Sequence, residues 1–143
     1  MITYSSAAAR SRIVCDEPEK VYRFVADGVL CDYYSPNITA IGLERNGQLI
    51  AGVVYSVFNG SCITADIRGV GRWANREFLR VIFDYPFRQL GVKRITAVVE
   101  SDNDTSQKFV KHLGFVHEAT LRHAGRSGDL LVFRMFRDDC KWL

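Results

Sequence analysis

Between Arg94 and Phe115 the chain reads RITAVVESDNDTSQKFVKHLGF, and the polar middle of this run is where chemistry can gather. Ser101, Asp102, Asn103 and Asp104 carry side chains that bond backbone amides and favour turns and helix N-caps. A helix start offers free N–H groups and the positive end of its dipole, so a polar or anionic ligand can be held there. A second such place is Arg68-Gly69-Val70-Gly71-Arg72-Trp73, a loop bearing glycine and arginine before another helical stretch. Its arginines could pair with phosphate oxygens. Each feature also has a plain structural reading. Asn103 and Ser106 serve as turn and cap residues, Arg68, Arg72 and Arg76 as a solvated basic face, and Trp73 as a core anchor.

Bulk properties narrow the partners. The 143 residues suit a single domain, 1–143, with a real core, and the 48% hydrophobic and 24% charged content is that of a globular chain. A net charge of +3 is too small to imply a nucleic-acid partner and suits an anionic ligand equally well. Cys15, Cys31, Cys62 and Cys140 form no C-x-x-C pair, and His112, His117 and His123 stand at no metal-ligand spacing to them, so no metal is expected. The thiols read as buried or idle in a reducing compartment, and Cys62 as inert within a buried strand. No apolar run reaches membrane-spanning length, which points to a cytoplasmic protein with no membrane partner.

These candidates must be positioned by the elements around them. Met1–Ser11 reads as frayed or as a short first strand, and Arg12–Cys15 as a strand. Asp16-Glu17-Pro18-Glu19 starts a helix carrying Val21, Tyr22, Val25 and Ala26 on one stripe and ending at Gly28. The segment Leu30–Asn37 is irregular and aromatic. Strands Ile38–Arg45 and Gln48–Phe58 flank the type I′ signal Asn46-Gly47, and Asn59-Gly60 repeats that signal before a strand Cys62–Ile67. A helix is expected over about 75–90, with Phe78, Leu79, Ile82, Phe83 and Phe87 at helical spacing, strained or kinked by Pro86 and ended by Gly91. Ile95, Ala97 and Val99 mark a buried strand; Phe109, Val110 and Leu113 mark a helix closed by Gly114. Strands over His117–His123 and Leu130–Arg137 complete the order β-α-β-β-β-α-β-α-β-β. That is an α+β fold, a mixed sheet flanked by helices.

Three pieces of this order resemble the GNAT acetyltransferases, in particular the branch of ribosomal-protein N-terminal acetyltransferases of RimJ and RimL type. They are Tyr85-x-Phe87-x-x-Leu90-Gly91-x-x-Arg94-Ile95, then Asn103-x-x-Ser106 with Leu113-Gly114-Phe115, and then Glu118-x-x-Leu121-Arg122 with Gly128-Asp129. The resemblance spans nearly the whole chain. It implies a mostly antiparallel sheet of about six or seven strands, splayed between the fourth and fifth, with the pantetheine arm of acetyl-CoA in the gap. The implied activity is acetyl transfer to a primary amine, a protein N-terminus before a lysine or a small-molecule amine.

The same resemblance implies site residues. The pyrophosphate loop would comprise Ile67, Arg68, Gly69, Gly71, Arg72, Trp73, Ala74 and Asn75. It departs from the family's Q/R-x-x-G-x-G/A motif, because Val70 replaces the Gln or Arg, Trp73 the central glycine and Asn75 the last small residue. Asn103 would bond the pantetheine or orient substrate. Ser106 would hydrogen-bond the departing sulfur, since Val110 stands where many members carry a tyrosine acid. A backbone N–H near Ile67 could serve the oxyanion, and Asp66 or Glu100 could take the amine's proton, directly or through water. Tyr33 and Tyr34 lie on the loop that borders the acceptor in that family. The altered loop also leaves open a non-catalytic protein-binding module, and the apolar strand Leu130–Phe136 could pair with a second subunit as a homodimer.

Overall fold

The structure, a computed structural model, describes residues 10–73 and 75–143. Seven strands form one sheet in the order β1-β2-β3-β4-β5-β7-β6. They are β1 (Ser11–Val14), β2 (Thr39–Arg45), β3 (Gln48–Ser56), β4 (Cys62–Gly69), β5 (Arg94–Glu100), β6 (Val116–Leu121) and β7 (Leu130–Phe136). Every pairing is antiparallel except β4 with β5. The helices are α1 (Pro18–Ala26), α2 (Arg76–Asp84) and α3 (Asp104–Leu113). The element order and the α+β class therefore match the reading of the sequence. Ala74 and the reading of residues 1–9 lie outside the described residues.

Each face of the sheet carries its own core. Val21 and Val25 of α1 pack with Val14, Ala40 and Val54 on one side. That helix sits close because Gly42 and Gly52 leave room for it. A β-carbon built on either glycine would lie within about 3 Å of a valine methyl of α1, 2.9 Å in both cases. The other face holds the larger cluster, with Phe78, Phe83, Phe87, Leu113 and Phe133 fully buried.

The elements depart from expectation at four places, each for a local reason. The helix read over about 75–90 is α2 followed by a π-helical turn, Tyr85–Gln89. Pro86 has no N–H for the carbonyl of Ile82, four residues back. The Tyr55 hydroxyl donates to that carbonyl instead, at 2.5 Å, and Leu90 N bonds Tyr85 O five residues back at 3.0 Å. Asn59-Gly60 is not a two-residue type I′ turn. Asn46 and Gly47 both have positive φ (54° and 82°), as that turn requires, whereas the β3–β4 connection has Val57 at φ 53° and Gly60 at 91°. There Asn59 Oδ1 accepts from Ser61 N and Cys62 N, an Asx turn that ends β3 at Ser56 rather than Phe58. The first helix ends at Ala26, not Gly28; Gly28 is needed because Arg68 packs where its β-carbon would be. Gly114 does close α3, at φ 114°.

Candidate active site

The parallel pairing of β4 and β5 lasts for three residue pairs, Cys62 with Arg94, Ile63 with Ile95 and Thr64 with Thr96. Beyond Thr64 and Thr96 the two strands part, while β3 continues beside β4 to Gly69 and β7 beside β5 to Glu100. The backbone groups of β4 and β5 that face the gap are thus left without a strand partner, and such groups need one. Two connected spaces fill the gap. A narrow apex of about 20 Å³ is lined by Asp66, Ile67, Asn103 and Ser106 among others, enough for about one water. A wider cleft of about 510 Å³ is lined by Ile67, Arg68, Gly69, Gly71, Trp73, Asn103, Thr105, Ser106 and Phe109. Asp66, Asn103 and Ser106, 40 residues apart at the extremes, therefore meet in one place.

Asp66 is the unusual group here. It is 8% exposed, and burial pushes its carboxyl from 3.8 up to about 7. The negative charge of Asp32 adds to the rise, and a hydrogen bond from the Cys31 thiol opposes it. Burial, with the neighbouring Asp66, holds the Cys31 thiol up to about 12, so it stays protonated as a donor. Carboxyl groups shifted toward neutrality in a cleft are suited to taking and releasing a proton near physiological pH.

Asn103 and Ser106 do cap α3. Asn103 Oδ1 accepts from Ser106 N at 3.1 Å, which fixes the turn and leaves the Ser106 hydroxyl lining both spaces. The cap reading and the ligand reading are compatible, since capping uses the serine's amide rather than its hydroxyl. Glu100 is committed elsewhere. Arg126 bonds it through the guanidinium at 2.7 Å and the backbone N–H at 2.9 Å, which holds the carboxyl below its usual range.

The loop after β4 is reshaped rather than emptied. Trp73 turns inward, 8% exposed, with its ring edge-on to Phe109 at 5.0 Å and Phe78 at 6.0 Å. Its indole covers Gly69, where any β-carbon would collide with it. Asn75 caps α2 by accepting from Phe78 N at 2.9 Å. Arg68 is not directed at the loop: its guanidinium donates to Phe24 O at 2.7 Å and lies 4.6 Å over the Phe24 ring. Arg72 is exposed, and its carbonyl accepts from Arg45 at 2.9 Å. Tyr34 stacks edge-on against Tyr22 at 5.3 Å, while Tyr33 stands out in solvent beside a separate cavity. Cys31, Thr105 and Arg126 were not singled out by sequence reasoning. The only available signals were the acid beside Cys31 in LCDYYSPN and the arginine in the Gly125–Asp129 turn.

The arrangement defines the class. Residues 63–129 match the family model of the acetyltransferase (GNAT) domain, and the sheet, with its single parallel β4–β5 pair, has the GNAT fold. Among solved structures, a point mutant of the spermidine N-acetyltransferase SpeG from Vibrio cholerae superimposes with a TM-score of 0.70 at 15% identity, covering 94% of this chain and 97% of that one. The same enzyme in complex with CoA and spermine gives 0.69 at 16%, covering 92% and 98%. Its dodecameric form gives 0.70 at 15%, covering 91% and 95%. Identities this low establish the fold and leave the acceptor unassigned. No curated protein matches the chain. Among the described residues no group of three or more His, Cys, Asp or Glu side chains is placed to hold a metal ion, and no helix is long and apolar enough to cross a membrane.

The residues present fit the acetyl-CoA that GNAT acetyltransferases use. The gap between β4 and β5 has unpartnered backbone for amide-bearing cofactor arms. The wide cleft ends at the α2 N-terminus, where the dipole and the first-turn amides favour an anion. Gly69 and Gly71 keep the backbone of the loop accessible on the side that Trp73 does not cover.

Proposed function

We propose that the chain is an acetyl-CoA-dependent N-acetyltransferase acting on a primary amine by direct attack. The observation that carries this reading is the meeting of Asp66, Asn103 and Ser106 where β4 and β5 part. When bound, acetyl-CoA supplies an acyl thioester whose C–S bond breaks as the amine nitrogen bonds the acyl carbon, the electron pair leaving on sulfur. Asp66 takes the proton released by nitrogen, a role its raised pKa suits because the base must be available near neutral pH and become neutral on protonation. Ser106 gives a hydrogen bond, through its hydroxyl, to the sulfur that leaves. Asn103 sets the Ser106 turn and presents its remaining amide donors to the pantetheine arm. A main-chain N–H near Ile67, at the apex, serves the carbonyl oxygen as negative charge develops on it.

The loop's departures from the family motif do not remove the site in this reading. Trp73 forms part of the wall instead of blocking it, and Arg72 rather than Arg68 is the arginine left to meet phosphate. A protein N-terminus, expected from the resemblance to the RimJ and RimL branch, and a small amine are both chemically competent acceptors. Calorimetric titration with acetyl-CoA, paired with mass spectrometry of an amine panel, tests the proposal. Saturable binding with acetylation of an amine supports it. The absence of binding heat and of thermal shift at millimolar cofactor would sink it.

A further inference from the structure

A second cavity of about 400 Å³ lies at the far end of β4 from the cofactor cleft, roofed by the loop between α1 and β2. Its walls are apolar and aromatic, with Tyr33, Tyr55, Phe58, Ile63, Tyr85 and Leu90 contributing. Tyr33, Val57 and Phe58, all on the rim, are exposed by 97%, 69% and 52%, an unusual gathering of large apolar side chains on a surface. The volume falls within the range of small-molecule pockets.

The cavity and the catalytic apex belong to one path. The same loop lines the apex through Val29 and Leu30 and the cavity through Asp32 and Tyr33. Along β4, Ile63 of the cavity and Ala65 of the apex are two residues apart, about 7 Å. That is the reach of an aminoethyl chain. The loop is also held in place, since the Tyr22 hydroxyl donates to Asp32 O at 2.7 Å and Tyr22 packs against Tyr34. Val57, β-branched yet at φ 53°, is held in a strained conformation at the rim.

Charge decides what this space accepts. Asp32 is the only charged residue among the described ones lining it, and none of the ion pairs among the described residues involves it. One fixed carboxylate beside apolar walls matches a single ammonium attached to an apolar body. A polyamine would bring further ammonium groups against Tyr55, Phe58, Ile63 and Leu90 with nothing to pair them, and desolvating an unpaired charge is expensive. Building on the acetyl-transfer reading above, we propose that this cavity is the acceptor subsite and that the acceptor is a small arylalkyl monoamine, its ring among Tyr33, Tyr55 and Phe58 and its nitrogen led past Asp32 toward Asp66.

The test is a comparison of kcat/KM on the full chain with acetyl-CoA, using phenethylamine, spermidine and a short peptide with a free N-terminal leucine. Burying a ring of this size is worth about 1.5–3 kcal/mol, so phenethylamine should exceed spermidine by about 10- to 100-fold. Asp32→Asn and Tyr33→Ala change exposed side chains and should leave the melting temperature and acetyl-CoA affinity in place. Each should lower kcat/KM for phenethylamine by about 10-fold, mainly through KM, while leaving spermidine nearly unchanged. Preference for spermidine or for the peptide, or wild-type phenethylamine kinetics in both variants, overturns the assignment while acetyl-CoA binding still stands. Failure of acetyl-CoA to bind overturns the acetyl-transfer reading itself.

Discussion

The indole of Trp73 occupies the space that a β-carbon on Gly69 would need, so the end of β4 and the start of the α2 loop are fitted to each other. Trp73 is pinned from its other side by Phe109 of α3. One aromatic ring therefore ties both borders of the cofactor cleft together.

Replacing Gly69 with alanine should force that ring to move. An overpacked core site loses about 1–3 kcal/mol, and the displaced indole would also narrow the cleft. Gly69→Ala should thus lower the denaturation midpoint and weaken acetyl-CoA binding together. Adding Trp73→Leu to the same chain should recover part of the binding loss, because a smaller side chain clears the collision. Urea unfolding and calorimetry on the three variants check this. Equal cofactor affinity in wild type and Gly69→Ala would show that the ring does not set the width of the cleft.

Asp66 should leave its mark on stability as well as on rate. Its native carboxyl titrates near about 7, above the 3.8 of a free one, so the folded state holds the proton more tightly than the unfolded state. The stabilisation is complete below about pH 4, declines as pH rises, and is gone above about pH 7. Asp66→Asn, which stays neutral throughout, should remove that slope and gain up to about 4 kcal/mol relative to wild type at pH 8. The same variant should lose about 10²- to 10⁴-fold in turnover if Asp66 accepts the amine's proton. Unfolding curves from pH 4 to 8 and single-turnover rates separate the two effects.

Legibility differed by the range of the interaction. Asn46-Gly47, Gly114 and the apolar stripes of α1 and α2 act within a few residues, and the sequence shows them directly. The splay also followed from the pattern of strands and the family resemblance, and with it the meeting of Asp66 with Asn103 and Ser106. What escaped depends on partners distant in sequence. Nothing local to Pro86 reveals that Tyr55, 31 positions earlier, caps the freed Ile82 carbonyl and permits a π-helical turn. Cys31 read as an idle thiol because its carboxylate partner lies on another strand. Arg68 read as a phosphate ligand because its true neighbours, Phe24 and Asp27, belong to α1.

Glu100 and Arg126 close the β6–β7 turn over the end of β5. The Glu100 carboxyl is held below its ordinary 4.5 by its hydrogen bonds from Arg126, so its contribution is present above about pH 4.5 and lost as pH falls through the lower folded value. Arg126→Ala should therefore speed amide exchange in residues 122–129 at pH 7 and change it little at acid pH, where the pair is already released. Exchange measured at both pH values by mass spectrometry checks this. An equal effect at both would assign the restraint to the Ser127–Asp102 hydrogen bond instead.

The Ser106 hydroxyl is the sharpest test of the catalytic reading, because its amide and its side chain do separate jobs. The amide is bonded to Asn103 Oδ1 and survives substitution, so Ser106→Ala should keep α3 capped and the fold intact. The hydroxyl would meet sulfur only as negative charge develops there. A hydrogen bond to a charged group is worth about 1.5–3 kcal/mol, which corresponds to about 10- to 100-fold in rate. Turnover should fall by that factor with acetyl-CoA affinity nearly unchanged. Asn103→Ala should behave differently, lowering stability by about 1 kcal/mol through the lost cap and weakening cofactor binding as well. Paired calorimetry and steady-state kinetics on both variants distinguish them, and unchanged turnover in Ser106→Ala would assign protection of the leaving sulfur to another donor in the apex.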